Sequence, residues 1–232
     1  MAYRPQAIAR IAEVDLSIVW RALAPALLLA SGPALAERVN APGPDASIED
    51  ARRFFTEDPD APMIVPQDYD VTIVEYLDYQ CSACRATATA LQQLLAKDKK
   101  VRVIFRDWVI FGDASARAAL VAIGSKYQGK YLAVHQALYK VKGPMTVEKI
   151  KAAAIGAGVD WAQLQKDITA NSADIEDLLS RNDEQAQILG LSGTPGFIIG
   201  TVQSFGGMTL EQLEESVKAA REGRKPGEER GR

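Results

Sequence analysis

Cys81 and Cys84 are the only cysteines in the chain, and Ser82 and Ala83 separate them. A strand-like run ends just before the pair and a helix-like run begins with it. A helix N-terminus favours negative charge, so a thiol placed there ionises more readily, and only the thiolate attacks a disulfide. A second thiol one helical turn on can resolve the mixed disulfide that results. Three chemistries use a Cys-x-x-Cys pair: half of a zinc site, a structural disulfide, or a redox dithiol. Zinc needs two further ligands, which the single histidine, His135, cannot supply alone. A structural disulfide would close too small a loop to restrict the unfolded chain by much. The redox dithiol is favoured, because the pair lies beside a strand–helix–strand pattern. Cys81 is then the exposed nucleophile at the helix end and Cys84 the resolving thiol. Ser82 offers one hydroxyl donor to a thiolate and Ala83 offers none, which predicts a moderate oxidant.

The elements that must position this pair are legible on either side. Val71 to Tyr79 is dense in β-branched and aromatic residues and reads as a central strand buried on both faces. Cys81 to about Lys97 has leucines and alanines at helical spacing, and Val101 to Trp108 is a second strand. Strand, helix, strand in that order predicts a right-handed parallel unit. A long helical segment follows, about residues 114–189, broken at Gly124, at Gly143-Pro144, around Gly156 to Gly158 and near Asn171. Thr146 and Asp160 are placed to cap two of its helices. Phe197 to Ile199 and Val202 to Phe205 read as two short strands, and Thr209 caps a last helix striped by Leu210, Leu213 and Val217.

Composition bounds the function class. Apolar residues make up 47% of the 232-residue chain, enough for a core that folds without disulfide staples. The net charge of −3 gives nucleic-acid binding no electrostatic support. Two cysteines and one histidine exclude four-thiolate and multi-histidine metal centres. Near the N-terminus, Ala22 to Ala30 is a short apolar run after Arg21, and Ala34-Leu35-Ala36 has the small-x-small pattern of a secretory cleavage site. Residues 1–36 are therefore expected to be a signal peptide cleaved near Ala36, and the cysteine pair to work in an oxidising compartment. Residues 37–62 read as a linker with a short helix from Ile48 to about Thr56, and residues 223–232 as a disordered tail. Two further residues are weighed for chemistry. His135 lies on an amphipathic helix and reads as packed, and Trp108 reads as core rather than a substrate platform.

Tyr76-Leu77-Asp78-Tyr79-Gln80-Cys81-Ser82-Ala83-Cys84-Arg85 resembles the F-x-D-Y-x-C-x-x-C-[KR] signature of the DsbA-like thioredoxin-fold oxidoreductases of the bacterial envelope. Gly190 to Phe197 (GLSGTPGF) resembles their G-[IL]-x-G-T-P-x-F segment, more than a hundred residues away. The resemblance implies a thioredoxin-like α/β fold over residues 63–222, with an all-helical insertion after the second core strand. It implies protein thiol–disulfide exchange with no metal or organic cofactor. Pro195 would be the family's cis-proline, presenting backbone with Thr194 to an extended or unfolded substrate protein, and Glu75 the buried acid that passes protons to and from Cys84. It further implies a periplasmic location and a membrane redox partner; oligomeric state stays open. The strong oxidants of the family carry Pro-His where this chain has Ser82-Ala83, and Thr194 is commoner in isomerase-type relatives. Both lean toward an isomerase or reductase kept reduced. The short segment before Pro62, with no obvious dimerisation domain, leans back to a monomeric oxidase, which is ranked slightly ahead. A non-catalytic Cu(I) binder using the two thiolates is the reading from a different class.

Overall fold

In the computed structural model, which describes residues 43, 45 and 47–223, a five-stranded mixed sheet carries the cysteine pair at one strand end. The expected signal peptide and all but the first residue of the expected tail lie outside the described residues. The chain divides into two compact units, with the boundary between Pro59 and Asp60. In the N-terminal unit, α1 (Ile48–Thr56) starts on a reciprocal cap: Ser47 Oγ accepts from the Asp50 N–H, and Asp50 Oδ2 from the Ser47 N–H.

The second unit opens with β1 (Met63–Ile64), β2 (Val71–Leu77), α2 (Ser82–Lys97) and β3 (Val101–Asp107). All seven residues of β2 are buried, as its unbroken apolar and aromatic run predicts for a strand covered on both faces. β2 and β3 pair in parallel from Val71 opposite Val101 to Leu77 opposite Asp107, joined by α2 as crossover. β1, which is too short to leave a periodic trace in the sequence, pairs antiparallel with β3.

The insertion consists of α3 (Asp113–Gly124), a 3₁₀ turn (Ser125–Gln128), α4 (Tyr131–Tyr139), α5 (Val147–Gly156), α6 (Trp161–Ala170) and α7 (Ser172–Ile188). Thr146 and Asp160 cap α5 and α6 through side-chain oxygens that accept the N3 amides. The chain then returns to the sheet as β4 (Gly196–Ile199) and β5 (Val202–Phe205), and α8 (Leu210–Arg221), capped by Thr209, follows. The strand order is β1-β3-β2-β4-β5, with β4 antiparallel to β2. The two faces of the sheet have different partners. α7 packs under one face, where Tyr76 donates to Gln185 and the buried Arg106 to Asn182. On the other face, α4 reaches Asp107 through the Tyr131 hydroxyl, and α8 packs on β2, β4 and α2.

Two glycines show where backbone geometry is tight. Gly200, in the turn between β4 and β5, has φ +62°, and a Cβ there would lie 2.8 Å from Ala220 Cβ in α8. Gly206 has φ +83° but open space around it. Gly200→Ala is therefore expected to cost about 2–4 kcal/mol, strain plus clash, whereas Gly206→Ala pays only the left-handed strain of about 1–2 kcal/mol. Urea denaturation of the two variants checks this, and equal losses would contradict it.

Candidate active site

Cys81 is the N-cap of α2, in extended conformation at φ −73°, ψ 119°. Its sulfur takes the place of the usual capping oxygen and accepts the Cys84 N–H at 3.3 Å. The same sulfur, as a thiol, donates to the Thr194 carbonyl oxygen at 3.1 Å. Both cysteines are free thiols. Cys81 differs from the exposed nucleophile expected from sequence: only 6% of it meets solvent. The cover comes from the Thr194–Pro195 backbone, which is far in sequence and invisible to local reasoning. Ser82 is exposed and Ala83 half-buried, so the donor to the Cys81 sulfur is a backbone amide rather than the Ser82 hydroxyl.

Cys84, one turn into the helix, is fully buried. Burial pushes its thiol well above the ordinary thiol range, and the nearby Glu75 adds to this. At neutral pH Cys84 therefore holds its proton until a base takes it.

Thr194 and Pro195 meet the cysteines from the opposite side. Their peptide bond is cis, and Pro195 is buried at the entry to β4. The Pro195 carbonyl accepts the Gly206 N–H at 2.9 Å, which ties the segment to the end of β5. Thr194 Oγ1 is buried without a hydrogen-bond partner. Gly196 next to it has no room for a side chain, because a Cβ would lie 2.8 Å from the Leu191 methyls. Gly207 fits against Ala83, and the Met208 N–H donates to Thr87 Oγ1 at 3.0 Å. The structure thus brings Cys81, Ser82, Ala83, Cys84, Thr194 and Pro195 to one spot at the end of β2 and the start of β4.

Glu75 lies beneath them, entirely buried, with neither carboxyl oxygen hydrogen-bonded. Burial, and secondly the charge of Asp107, raise its pKa to about 8. Asp107 is buried too, and burial raises it to about 7 against the lowering effect of the Tyr131 and Tyr79 hydroxyls. The folded protein keeps protons on these acids that the unfolded chain would already have released. As pH rises from the ordinary carboxylate range through 7 to 8, the fold therefore loses stability.

Sequence reasoning gave no role to Asp78, although it lies inside the signature. Its Oδ1 accepts the Gln80 N–H at 2.8 Å and the Ser115 hydroxyl at 2.6 Å; its Oδ2 accepts the amides of Ile110 and Phe111 at 3.0 and 3.2 Å. One buried carboxylate thereby anchors the turn into Cys81, the loop after β3 and the start of α3. Arg85 makes a matching tie, donating to the carbonyls of Tyr139 and Val141 at the end of α4. Asp107 was also missed. The signal was present, since Asp107, like Glu75, is an acid inside an apolar strand.

His135 is packed among the rings of Tyr79, Phe105, Tyr131 and Tyr139. Burial lowers its pKa to about 3, so it is neutral here, with Nδ1 3.2 Å from the Tyr79 hydroxyl. Trp108 is buried and donates to Asp183 Oδ1 at 2.9 Å. Among the described residues, no group of three or more His, Cys, Asp or Glu could hold a metal ion, and no helix is long and apolar enough to cross a membrane.

Comparisons with known proteins agree with this fold. The thioredoxin family profile matches residues 63–219. A thioredoxin-like oxidoreductase from Silicibacter pomeroyi DSS-3 is 34% identical, with a TM-score of 0.70 over 74% of this chain and 98% of its own. The thiol-disulfide exchange protein alpha-DsbA2 from Wolbachia pipientis is 29% identical, with a TM-score of 0.69 over 74% of this chain and 92% of its own. A periplasmic thioredoxin-like protein from Salmonella enterica serovar Typhimurium is 26% identical, with a TM-score of 0.65 over 74% and 95%. Curated relatives include Na(+)/H(+) antiporter NhaA 1 of Mycobacterium sp. (strain KMS), 22% identical over 75% of this chain; the chain spans only 28% of that protein's length.

Proposed function

The chain belongs to the thioredoxin family, and from that membership we propose that it is an exported DsbA-like thiol–disulfide oxidoreductase acting on protein substrates. The observation that carries the reading is the setting of Cys81: a sulfur at a helix N-terminus, taking a backbone N–H and lying 3.1 Å from the carbonyl that precedes a cis-proline. An attacking thiolate needs that electropositive end, and the Thr194–Pro195 backbone beside it offers strand-like pairing to an extended substrate.

In the reductive direction the Cys81 thiolate attacks a substrate disulfide, forms a mixed disulfide and releases one substrate thiolate. Cys84 then loses its proton to Glu75, attacks the Cys81 sulfur and releases the second. Cys81 and Cys84 end as a disulfide, and two electrons have passed to the substrate. Oxidation of a substrate dithiol runs the same steps backwards.

Of the two directions, the oxidase is placed first, with a membrane protein as reoxidant. Ser82-Ala83 and Thr194 favour the isomerase or reductase mode instead. Residues 1–36 serve as the export signal in this reading, residues 63–222 as the catalytic domain and the periplasm as its compartment; the periplasmic relative supports the last of these. Cu(I) storage between the two sulfurs is opposed by the burial of Cys84, which resists forming the second thiolate.

Equilibration with glutathione tests the function. A reduction potential on the side of about −120 mV, where the strongest oxidants of this type lie, supports the oxidase direction, and one of about −270 mV would reassign the protein as a reductant. Absence of any reversible Cys81–Cys84 couple would remove the proposal.

A further inference from the structure

Glu75 has a companion that the redox chemistry described above leaves without a role. In the parallel register Glu75 lies opposite Phe105, and Asp107 opposite Leu77. Side chains two apart along a strand share a face, so Glu75 and Asp107 project from the same side of adjacent strands as diagonal neighbours. Both are buried, and three of their four carboxyl oxygens have no hydrogen-bond partner. The fourth, Asp107 Oδ2, accepts the Tyr131 hydroxyl at 2.9 Å.

Two ionised carboxylates cannot share so dry a space cheaply, and one retained proton relieves both desolvation and repulsion. We propose that Asp107, held by Tyr131, is a positioning residue for the proton step at Cys84, forming with Glu75 a two-carboxyl store that holds one proton through neutral pH. The inference rests on the thiol–disulfide reading above.

Other titratable groups face the pair, among them the Tyr79 hydroxyl, which with Tyr131 lowers the Asp107 pKa. β2 and the turn after it contribute Asp78 and Tyr79, α2 contributes Cys84, and α4 contributes Tyr131, His135 and Tyr139. Among these described residues none is a cation, since burial keeps His135 neutral. Arg106, the neighbour of Asp107 along β3, points from the opposite face toward Asn182. The titration of Glu75 is thus set by burial and by the charge on Asp107.

Proton and electrons balance as follows. In resolution the Glu75 carboxylate takes the Cys84 proton, and the Cys84 thiolate forms a bond to the Cys81 sulfur. The Cys81–substrate S–S bond breaks, and its electron pair leaves on the substrate sulfur, which protonates from water. In the reverse direction the leaving Cys84 thiolate takes the proton back from Glu75. Asp107 touches no reacting atom. Its charge decides at which pH Glu75 is free to accept the proton, and Tyr131 keeps that charge in place.

The test uses the full reduced chain and 5,5′-dithiobis(2-nitrobenzoate), which releases one coloured thiolate when Cys81 attacks and a second when Cys84 resolves. Stopped-flow traces between pH 5 and 9 separate the two phases. In Asp107→Asn the inflection of the second phase is expected to move toward acid by about one unit, the scale of a close like-charge effect, making that phase severalfold faster near pH 6. The first phase stays unchanged. Tyr131→Phe, which keeps both carboxyls, is expected to shift the second phase in the same direction by less, and Asp107→Glu to restore the wild-type profile. Second-phase profiles of Asp107→Asn and Tyr131→Phe that superimpose on wild type, while Glu75→Gln changes its own, would overturn the role of Asp107 and leave the enzyme reading intact. Wild-type protein that releases no second thiolate would instead sink the oxidoreductase reading itself, and this proposal with it.

Discussion

Replacing Cys84 by serine is expected to trap the protein as a covalent mixed disulfide with its substrates, whereas replacing Cys81 by serine should abolish exchange. The asymmetry follows from position. Cys81 caps the helix, lies against the Thr194 carbonyl and keeps some contact with solvent, where Cys84 keeps none. Cys84 is fully buried, with its thiol pushed up by burial, so it meets only the Cys81 sulfur and is a poor nucleophile toward anything outside. Loss of Cys81 removes the covalent step and should lower disulfide exchange on the order of a thousandfold or more. Loss of Cys84 leaves that step intact and removes only the escape. Mass spectrometry of protein treated with a disulfide-bonded peptide reads both results. Adducts on Cys84 in the Cys81→Ser protein, or none on Cys81 in Cys84→Ser, would reverse the assignment. Serine is nearly isosteric with cysteine, so a folding defect is not expected to obscure the result.

Asp78→Ala is expected to cost about 3–5 kcal/mol of stability and to slow exchange even where the protein remains folded. Four donors end on the Asp78 carboxylate: the amides of Gln80, Ile110 and Phe111 and the hydroxyl of Ser115. Each buried donor left unpaired costs roughly 1–3 kcal/mol, though water entering the gap returns part of that total. Asp78→Asn keeps one acceptor oxygen and should lose less, about 1–3 kcal/mol. Activity falls because the same carboxylate sets the turn that delivers Cys81; the Cys81 N–H itself donates to the Asp78 carbonyl at 3.1 Å. Urea denaturation at pH 7 gives the stability change, and the rate of peptide disulfide reduction gives the activity. A loss below about 1 kcal/mol for Asp78→Ala would show that the four hydrogen bonds are not what holds these loops.

Much of this molecule is local and so was readable one segment at a time. The β2 and β3 runs announced themselves by β-branched density, and their parallel pairing followed from the helix between them. Thr146, Asp160 and Thr209 cap helices because a short side-chain oxygen satisfies the amide three residues on, which is a property of a few consecutive residues. The cysteine pair at a helix start, with its redox chemistry, belongs to the same class of information. So does the acid at position 75 in an apolar strand, although its role was carried by resemblance.

Tertiary structure alone decided what depends on residues meeting across the chain. Cys81 is covered rather than exposed because the Thr194–Pro195 backbone, more than a hundred residues later, closes over it. The four bonds to Asp78 come from residues 80 to 115, a hydrogen-bond count that no spacing rule contains. Asp107 becomes a partner of Glu75 only through strand register, and only the burial of both turns two ordinary carboxylates into a coupled pair. Sequence supplied the candidate groups, since residue type and local spacing set intrinsic reactivity. The fold decided their protonation and access, because solvent exclusion and through-space charge arise only when distant segments pack together.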